Sequence, residues 1–400
     1  MKDKILIEPE PDGFDRKGAN LSTQIGPVLL LTAIFFLNFS ARVVYAPLMP
    51  EIETDLNITH SDAGSMFFYL SIGYFITLLG SGWVAASLNH RRTIILSSVV
   101  LGLALFFTAF SGGLKTIRFT LLLLGAAAGL YLPSGIATLT QLINQRHWGK
   151  ALAVHELAPN LGFIMAPLLS ELIMIWFSWR SVPVMLGITT IFLGIGFAFY
   201  SREVSFTSVP PGFTSFKLFF SNPAFWIMVI LFSLGIAGTL GIYTMLPLYL
   251  VAEHAIDRNY ANTLLSFSRI LSLFTALAGG WTSDRFGPRN TLIIVFLFSG
   301  ITTMAIGAAS DHWIIVPIFL QPMIAVCFFP AGFAALSRIG PPGASNIAVS
   351  LAAPLAFMIG GGAVPSLIGF MGDTISFASG IGLVGGVITL GALLSYFLKL

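Results

Sequence analysis

The sequence predicts an all-α polytopic membrane protein, with twelve transmembrane helices in two pseudo-symmetric six-helix halves. Three observations carry this. Only 9% of the 400 residues are charged and mean hydropathy is +0.89, whereas soluble chains carry roughly 25% charge. Apolar runs of about 20 residues, the length that spans about 30 Å of hydrocarbon, recur from end to end. One segment also occurs twice: Gly82-Trp83-Val84-Ala85-Ala86-Ser87-Leu88-Asn89-His90-Arg91 aligns with Gly280-Trp281-Thr282-Ser283-Asp284-Arg285-Phe286-Gly287-Pro288-Arg289 at a constant offset of 198. The 40 glycines and 21 prolines suit membrane helices. A closed barrel would instead alternate apolar and polar residues over short segments. The single cysteine, Cys327, excludes an internal disulfide framework and a cysteine-based metal site, and reads as a small buried thiol.

Taken in order, residues 1–25 are polar and read as a short cytoplasmic tail, because no small-residue cleavage site follows the first apolar run. The first half, 26–200, carries spans near 26–50, 61–87, 93–112, 117–141, 150–175 and 181–200. Segment 201–223, with Arg202, Pro210, Pro211 and Lys217, reads as a central cytoplasmic linker. The second half, 224–400, carries spans near 224–250, 260–282, 291–309, 313–337, 346–370 and 376–398. With the N-terminus inside, fourteen of the 20 Lys and Arg residues fall in cytoplasmic regions, and Lys115, Arg118, Arg180 and Arg258 fall outside. This positive-inside bias puts both termini in the cytoplasm of a plasma membrane, the inner membrane in a bacterium. The two remaining basic residues, Arg42 and Arg269, lie inside spans.

Two parallel six-helix repeats characterise one large transporter class, and the repeated loop makes this chain resemble the major facilitator superfamily over nearly its whole length. The family pattern after helices two and eight is Gly, three residues, Asp-Arg, one residue, Gly, then basic residues. Gly280, Asp284, Arg285, Gly287 and Arg289 fit it, while Ala86, Ser87 and Asn89 depart from it in the first copy. Gly149-Lys150-Ala151 and Trp179-Arg180 are further family-like marks. The resemblance implies that Asp284, Arg285 and Arg289 form a cytoplasmic latch with Asp284 holding basic groups across the turn; the plainer alternative is that these charges only anchor topology.

A charge in hydrocarbon needs a reason, since an arginine at the bilayer centre costs at least about 2.5–3.5 kcal/mol on insertion scales. Arg42 and Arg269 fall on helices one and eight, both of which resemble the cavity liners of this fold. One reading is an anion site in which two guanidinium groups offer paired donors to a carboxylate or phosphate. The other is structural, with Arg42 snorkelling to the interface and Arg269 capping carbonyls or pairing with an acid. Glu156, about 9 Å inside the cytoplasmic end of helix five at helical rise, reads as a proton-coupling site or a counter-charge to an arginine. His155 faces another side of that helix and reads as interfacial, as does Glu171 near the far end. Asn38, Tyr45, Tyr74, Tyr131, Asn160, Tyr243, Gln321, Asn346 and Ser350 are polar groups on liners. Such groups commonly join helices; Tyr131, Tyr243, Gln321, Asn38 and Asn160 are carried forward as candidate substrate contacts. Gly360-Gly361-Gly362 with Pro365 predicts close packing and bending, not a phosphate loop, since no strand adjoins it.

Within the superfamily, Gly149-x6-Glu156-x3-Asn160-x-Gly162 with Arg42 resembles organophosphate:phosphate antiporters, but Pro159 stands where those place a histidine and helix seven lacks an arginine. Arg269 resembles the helix-eight arginine of oxalate and monocarboxylate carriers, without their acid before it or their lysine on helix eleven. Nitrate carriers have a matching arginine on helix two, where Ser71 stands here. Drug:proton antiporters fit least, since Ala166-Pro167 replaces their Gly-Pro. The expectation is a transporter, not an enzyme, that moves a small organic anion, a carboxylate first, by alternating access. Protons are the candidate coupling ion; the chain is expected to act as a monomer, without cofactor, metal or nucleic acid. Organophosphate or inorganic anion exchange is the near alternative, and a non-transporting sensor or a lipid translocator the distant one.

Overall fold

The computed structural model describes residues 21–201, 219–310, 312–339 and 345–398. Residues 1–20 of the expected tail and 202–218 of the expected linker lie outside these residues, as does the Asn346 side chain. Twelve helices are long and apolar enough to cross a membrane: α1 (Ile25–Leu56), α2 (His60–Leu88), α3 (His90–Ala109), α4 (Leu114–Leu142), α5 (Gln145–Met174), α6 (Ser181–Tyr200), α7 (Pro223–Ala252), α8 (Arg258–Phe286), α9 (Pro288–Ala308), α10 (Ile315–Leu336), α11 (Ala348–Thr374) and α12 (Phe377–Tyr396). Helix starts carry their own caps. Thr59 and Asp62 form a reciprocal capping box on α2, Asn222 caps α7 ahead of Pro223, Asp257 caps α8 and Ser376 caps α12.

The largest departure from the expected spans is at α1, which runs on past Pro50 to Leu56. Three carboxylates in that extension each hold a different element. Glu51 pairs with Arg258 of α8, Glu53 with His60 at 2.9 Å, and Asp55 with Arg180 and the Trp179 indole. These acids made the segment look like a loop, and their partners are what let it stay helical.

Breaks within helices have local causes. α1 turns at Val44, α4 at Leu130, α5 at Glu156 and α10 at Val326–Cys327. Each break lies three or four residues before a proline, namely Pro47, Pro133, Pro159 and Pro330. A proline lacks the N–H for the carbonyl four residues back and clashes with it. α7 and α11 instead widen into π-helical turns at Ala237–Gly241 and Ile359–Ala363, where Gly241 packs against the Gly360 carbonyl. The expected bending at Gly360-Gly361-Gly362 is this wide turn. By the 198-residue offset the interrupted helices are partners: α1 with α7, α4 with α10, α5 with α11.

The repeat extends well beyond the loop. A Cβ on Gly102 of α3 would meet the Gly187 carbonyl of α6 at 2.6 Å, and one on Gly300 of α9 would meet the Gly385 carbonyl of α12 at 2.7 Å. Both members of the second pair lie 198 residues after the first. The loops match in conformation even where they differ in sequence. Gly287 has φ 83 and ψ 152, and Asn89 has φ 69 and ψ 162. The glycine of the motif therefore supplies a left-handed turn, which asparagine tolerates better than most residues. Asn89 also caps α3 through the Arg92 N–H at 2.9 Å.

This equivalence makes a test. Asn89→Gly removes one cap and is expected to shift the apparent melting temperature in detergent very little, since Gly at such a cap costs a few tenths of a kcal/mol. Asn89→Val and Gly287→Val are each expected to lower it clearly, by about 1–3 kcal/mol of backbone strain. Equal tolerance of valine and glycine at both positions would show that the turns impose no such constraint.

Candidate functional site

Arg42 and Arg269 are buried, 6% and 5% exposed, and both are sheathed by rings. The Arg42 guanidinium carbon lies 4.4 Å from the Tyr74 ring centre, 4.8 Å from Phe39 and 5.7 Å from Phe357. That of Arg269 lies 4.6 Å from Phe163 and 5.0 Å from Tyr243. The two sheaths meet: Phe39 and Phe163 pack edge to face at 4.8 Å, and Phe163 packs on Tyr243 at 4.7 Å. The arginines thus sit on either side of one phenylalanine pair. α1, α2 and α11 supply the rings around Arg42, and α5 and α7 those around Arg269. Gly162 of α5 lets Phe39 in, since a Cβ there would meet the ring at 2.6 Å.

No carboxylate among the described residues forms an ion pair with either arginine. Nη2 of Arg269 donates to the Thr239 carbonyl at 2.8 Å, a group on the wide turn of α7. The Nε atoms of both arginines are buried and unpartnered. Ring faces attract a desolvated cation by about 2 kcal/mol or more each. Two or three per guanidinium offset an insertion cost of about 2.5–3.5 kcal/mol. The rings therefore stabilise the charge without neutralising it. Beside Arg42 is a cavity of about 20 Å³, lined also by Ser71, Leu240, Thr244 and Gly361. It has room for about one water.

The other expected contacts divide. Tyr243 joins the cluster, its hydroxyl donating to the Phe163 carbonyl at 3.1 Å. Asn160 and Glu156 lie one and two turns from Phe163 on the same face of α5, with the Asn160 amide donating to the Glu156 carbonyl. The Glu156 side chain is 56% exposed. Asn38 and Gln321 are committed elsewhere, as helix joints. Asn38 donates to the Ala128 carbonyl of α4, and Gln321 to the Gly238 carbonyl at 2.7 Å, filling the wide turn of α7 from α10. Tyr131 is buried against the Leu31 carbonyl and His155. His155 is not interfacial; it is fully buried between α1, α4 and α5. The expectation missed Phe39, Phe163 and Phe357. Their signal was spacing: Phe39 lies three residues before Arg42, and Phe163 seven after Glu156.

We call the end bearing Arg91, Arg146, Arg289 and Arg338 the basic end. The contacts joining the first six helices to the last six gather at the other end and at mid-depth. Arg258 of α8 grips Glu171 of α5 with Nε and Nη2 at 3.0 and 3.1 Å and also holds Glu51. Asn262 bridges Glu171 and the Pro47 carbonyl. Glu171 is thereby buried and ion-paired rather than interfacial, because α8 brings it a bidentate partner. The equivalent seam, α2 on α11, is closed by packing: a Cβ on Gly64 would meet the Pro365 carbonyl at 2.5 Å, and one on Gly369 the His60 carbonyl at 2.2 Å. Asp373 accepts from the His60 and Ser61 N–H groups at 3.1 and 2.8 Å. The residues of the expected latch lie at the basic end. Asp284 is exposed, and no ion pair among the described residues includes it. Arg285 lies over Trp281 and Phe286, and Arg289 donates to the Tyr396 carbonyl at 2.5 Å. Aromatic faces and a helix-end carbonyl satisfy these cations in place of Asp284.

The Major Facilitator Superfamily model matches residues 31–268 and 243–400. Similar proteins include a probable L-galactonate transporter of Escherichia coli (strain K12), 24% identical over 98% of this chain and 93% of that protein. The membrane sensor protein UhpC of Salmonella typhimurium is 22% identical over 75% of this chain and 72% of its own. The probable sulfoacetate transporter SauU of Cupriavidus necator is 21% identical over 44% of this chain and 40% of its own. Among solved structures, a D-xylose–proton symporter superposes with TM-score 0.79 at 15% identity, covering 95% of this chain and 98% of that one. An inward-facing, occupied bacterial homologue of the human lysosomal transporter Spinster superposes with TM-score 0.79 at 14% identity, covering 95% and 97%.

The charged seam can be tested directly. Glu171→Ala leaves Arg258 with Glu51 alone and is expected to loosen α5 from α8. In a Cys327→Ala background, labelling of Ser266→Cys by a polar thiol reagent should then rise several-fold, because Ser266 is buried against the Ile164 carbonyl in that seam. Unchanged labelling would show that packing, not the ion pair, holds the seam.

Proposed function

The chain belongs to the major facilitator superfamily of membrane transporters, and from that premise we propose that it moves a small organic anion by alternating access. The observation that carries this reading is the pair of buried, acid-free arginines flanking Phe39 and Phe163. A guanidinium presents a fork of donors that matches a carboxylate. Both Nε donors are unspent, and the charges are held by ring faces that a carboxylate can outcompete. Two relatives support the same chemistry: their names specify L-galactonate and sulfoacetate, and both solutes carry a carboxylate.

The 20 Å³ space beside Arg42 is too small for such a solute. Binding therefore requires the rings over Arg42 or Arg269 to swing aside and the anion to replace them. Charge distribution puts the basic end in the cytoplasm. On that assignment the seams closed by Arg258–Glu171 and by Gly64 and Gly369 face outside, and the solute enters and leaves this state from the cytoplasmic side. Rocking of the two six-helix sets would break these seams and close the basic end. Glu156, on the Phe163 face of α5, is exposed to that side and is the candidate proton site.

A second reading, a sensor that binds the anion without moving it, is favoured by the resemblance to a membrane sensor protein. Counterflow of labelled solute in liposomes separates the two, since a sensor binds and does not exchange.

Galactonate and sulfoacetate are expected to raise the melting temperature of the purified protein, as any ligand of the folded state does. Galactose, which lacks the carboxylate, is expected not to. Arg269→Gln and Arg42→Gln should each fold and lose at least about tenfold in anion affinity, the scale of one charge-assisted contact of about 1.5–3 kcal/mol. Stabilisation by galactose alone, or undiminished anion affinity in both variants, would remove the anion reading.

A further inference from the structure

His155 has an arrangement that the anion site does not use. Its ring is fully buried, stacked on Phe35 of α1 at 4.6 Å and 11°. Nε2 lies 3.1 Å from the Tyr131 hydroxyl of α4, and that hydroxyl donates to the Leu31 carbonyl at 2.7 Å. With its one proton spent on Leu31, the tyrosine oxygen accepts from Nε2–H. The neutral ring therefore keeps a bare nitrogen, Nδ1, which is buried and unpartnered. The nearest carboxylate oxygen, Glu156 Oε1, lies 3.5 Å from Nδ1 without a hydrogen bond to it. From α1 the ring meets Phe35, which carries no titratable group; from α4 it meets Tyr131, and on α5 the nearest charged group is Glu156. His90 of α3 is turned to Ser134 of α4 instead.

We propose that His155 and Glu156 together hold the coupling proton, with Nδ1 of His155 as its buried resting place and Glu156 as its entry from water. This rests on the anion-transport reading above. The step balances within the pair. A water-borne proton protonates the exposed Glu156 carboxylate. The O–H bond then breaks as Nδ1–H forms, its electron pair stays on the carboxylate, and Tyr131 keeps its own proton on Leu31. The empty pair, neutral imidazole with carboxylate, carries one negative charge; the loaded pair, imidazolium with carboxylate, carries none. Imidazole is the side chain suited to this change between about pH 5 and 8.

The link to the anion site lies along one face of α1. Phe35, Phe39 and Arg42 are spaced at i, i+4 and i+7, so they share that face over about 10 Å of rise. Phe35 stacks on His155, and Phe39 lies under Arg42 and against Phe163. Loading the proton removes a negative charge from the face of α5 that carries Phe163, which favours a substrate anion at the arginines. Binding then takes up a proton, and by linkage protons strengthen binding.

The test measures galactonate affinity and proton uptake by a pH dye on the purified full-length protein from about pH 5 to 8. Wild type should lose affinity as pH rises, by at most about tenfold per unit for one linked proton, and should take up about one proton per anion. His155→Gln should still bind, with weaker affinity, no pH slope and no proton uptake. Slope and uptake retained in His155→Gln but lost in Glu156→Gln would assign the proton to the carboxylate alone and overturn the proposal, while leaving the anion site standing. A wild type that binds anion with no pH slope would overturn it as well; one that binds no anion removes the anion reading itself. Should His155→Gln fail to fold, Tyr131→Phe decides, because deleting the hydroxyl at Nε2 must move the pH midpoint. An unmoved midpoint would exclude His155.

Discussion

An arginine cannot shed its charge to enter a membrane, and this one constraint orders the middle of the molecule. Two such charges lie within membrane-spanning helices, and the chain around them offers rings rather than acids. Five aromatic side chains from α1, α2, α5, α7 and α11 converge on them. Glycines make that convergence possible: Gly162 admits Phe39, and the wide turn of α7 exposes the carbonyl that Arg269 uses. Had an aspartate stood beside either arginine, the pair would be satisfied and the site inert towards anions. Ring faces keep the cation stable and available at once.

Around this centre the internal repeat supplies the frame, and departures from the repeat supply function. Glycine pairs in α3–α6 and α9–α12 are equivalent, as are the left-handed turns at Asn89 and Gly287. The seams between the halves are equivalent in position but not in chemistry. α2 meets α11 through Gly64 and Gly369, and α8 meets α5 through Arg258, Asn262 and Glu171. A packed seam and a charged seam differ in their sensitivity to ionic conditions. Arg269 is itself such a departure, since Ser71 occupies its equivalent place and lines the cavity beside Arg42.

The fold was legible because membrane helices announce themselves by length and hydropathy, and because the loop repeat keeps Gly82/Gly280, Trp83/Trp281 and Arg91/Arg289 in register. The helix breaks were legible in principle from Pro47, Pro133, Pro159 and Pro330, although prolines alone do not say which of them bend a helix. The arginines stood out because charge is rare in hydrocarbon. Their sheath did not, because phenylalanine is common here, 36 of 400 residues, and a single one carries no signal. His155 and Glu171 were misread for one reason. Distance along a helix measures depth but not what the neighbouring helix brings, and α4 brought Tyr131 while α8 brought Arg258. Asp284 failed in the opposite sense: the motif was present, and its expected basic partners had found aromatic faces and a carbonyl.

The central claim is that Arg42 and Arg269 grip one anion across the Phe39–Phe163 pair. A double-mutant cycle on galactonate affinity, with Arg42→Gln, Arg269→Gln and the two together, tests it most directly. If both hold the same anion, each single variant loses affinity, and the double variant loses at least as much as the worse single one. A full effect from one arginine and none from the other would mean that the two charges serve separate ends and that no shared site exists.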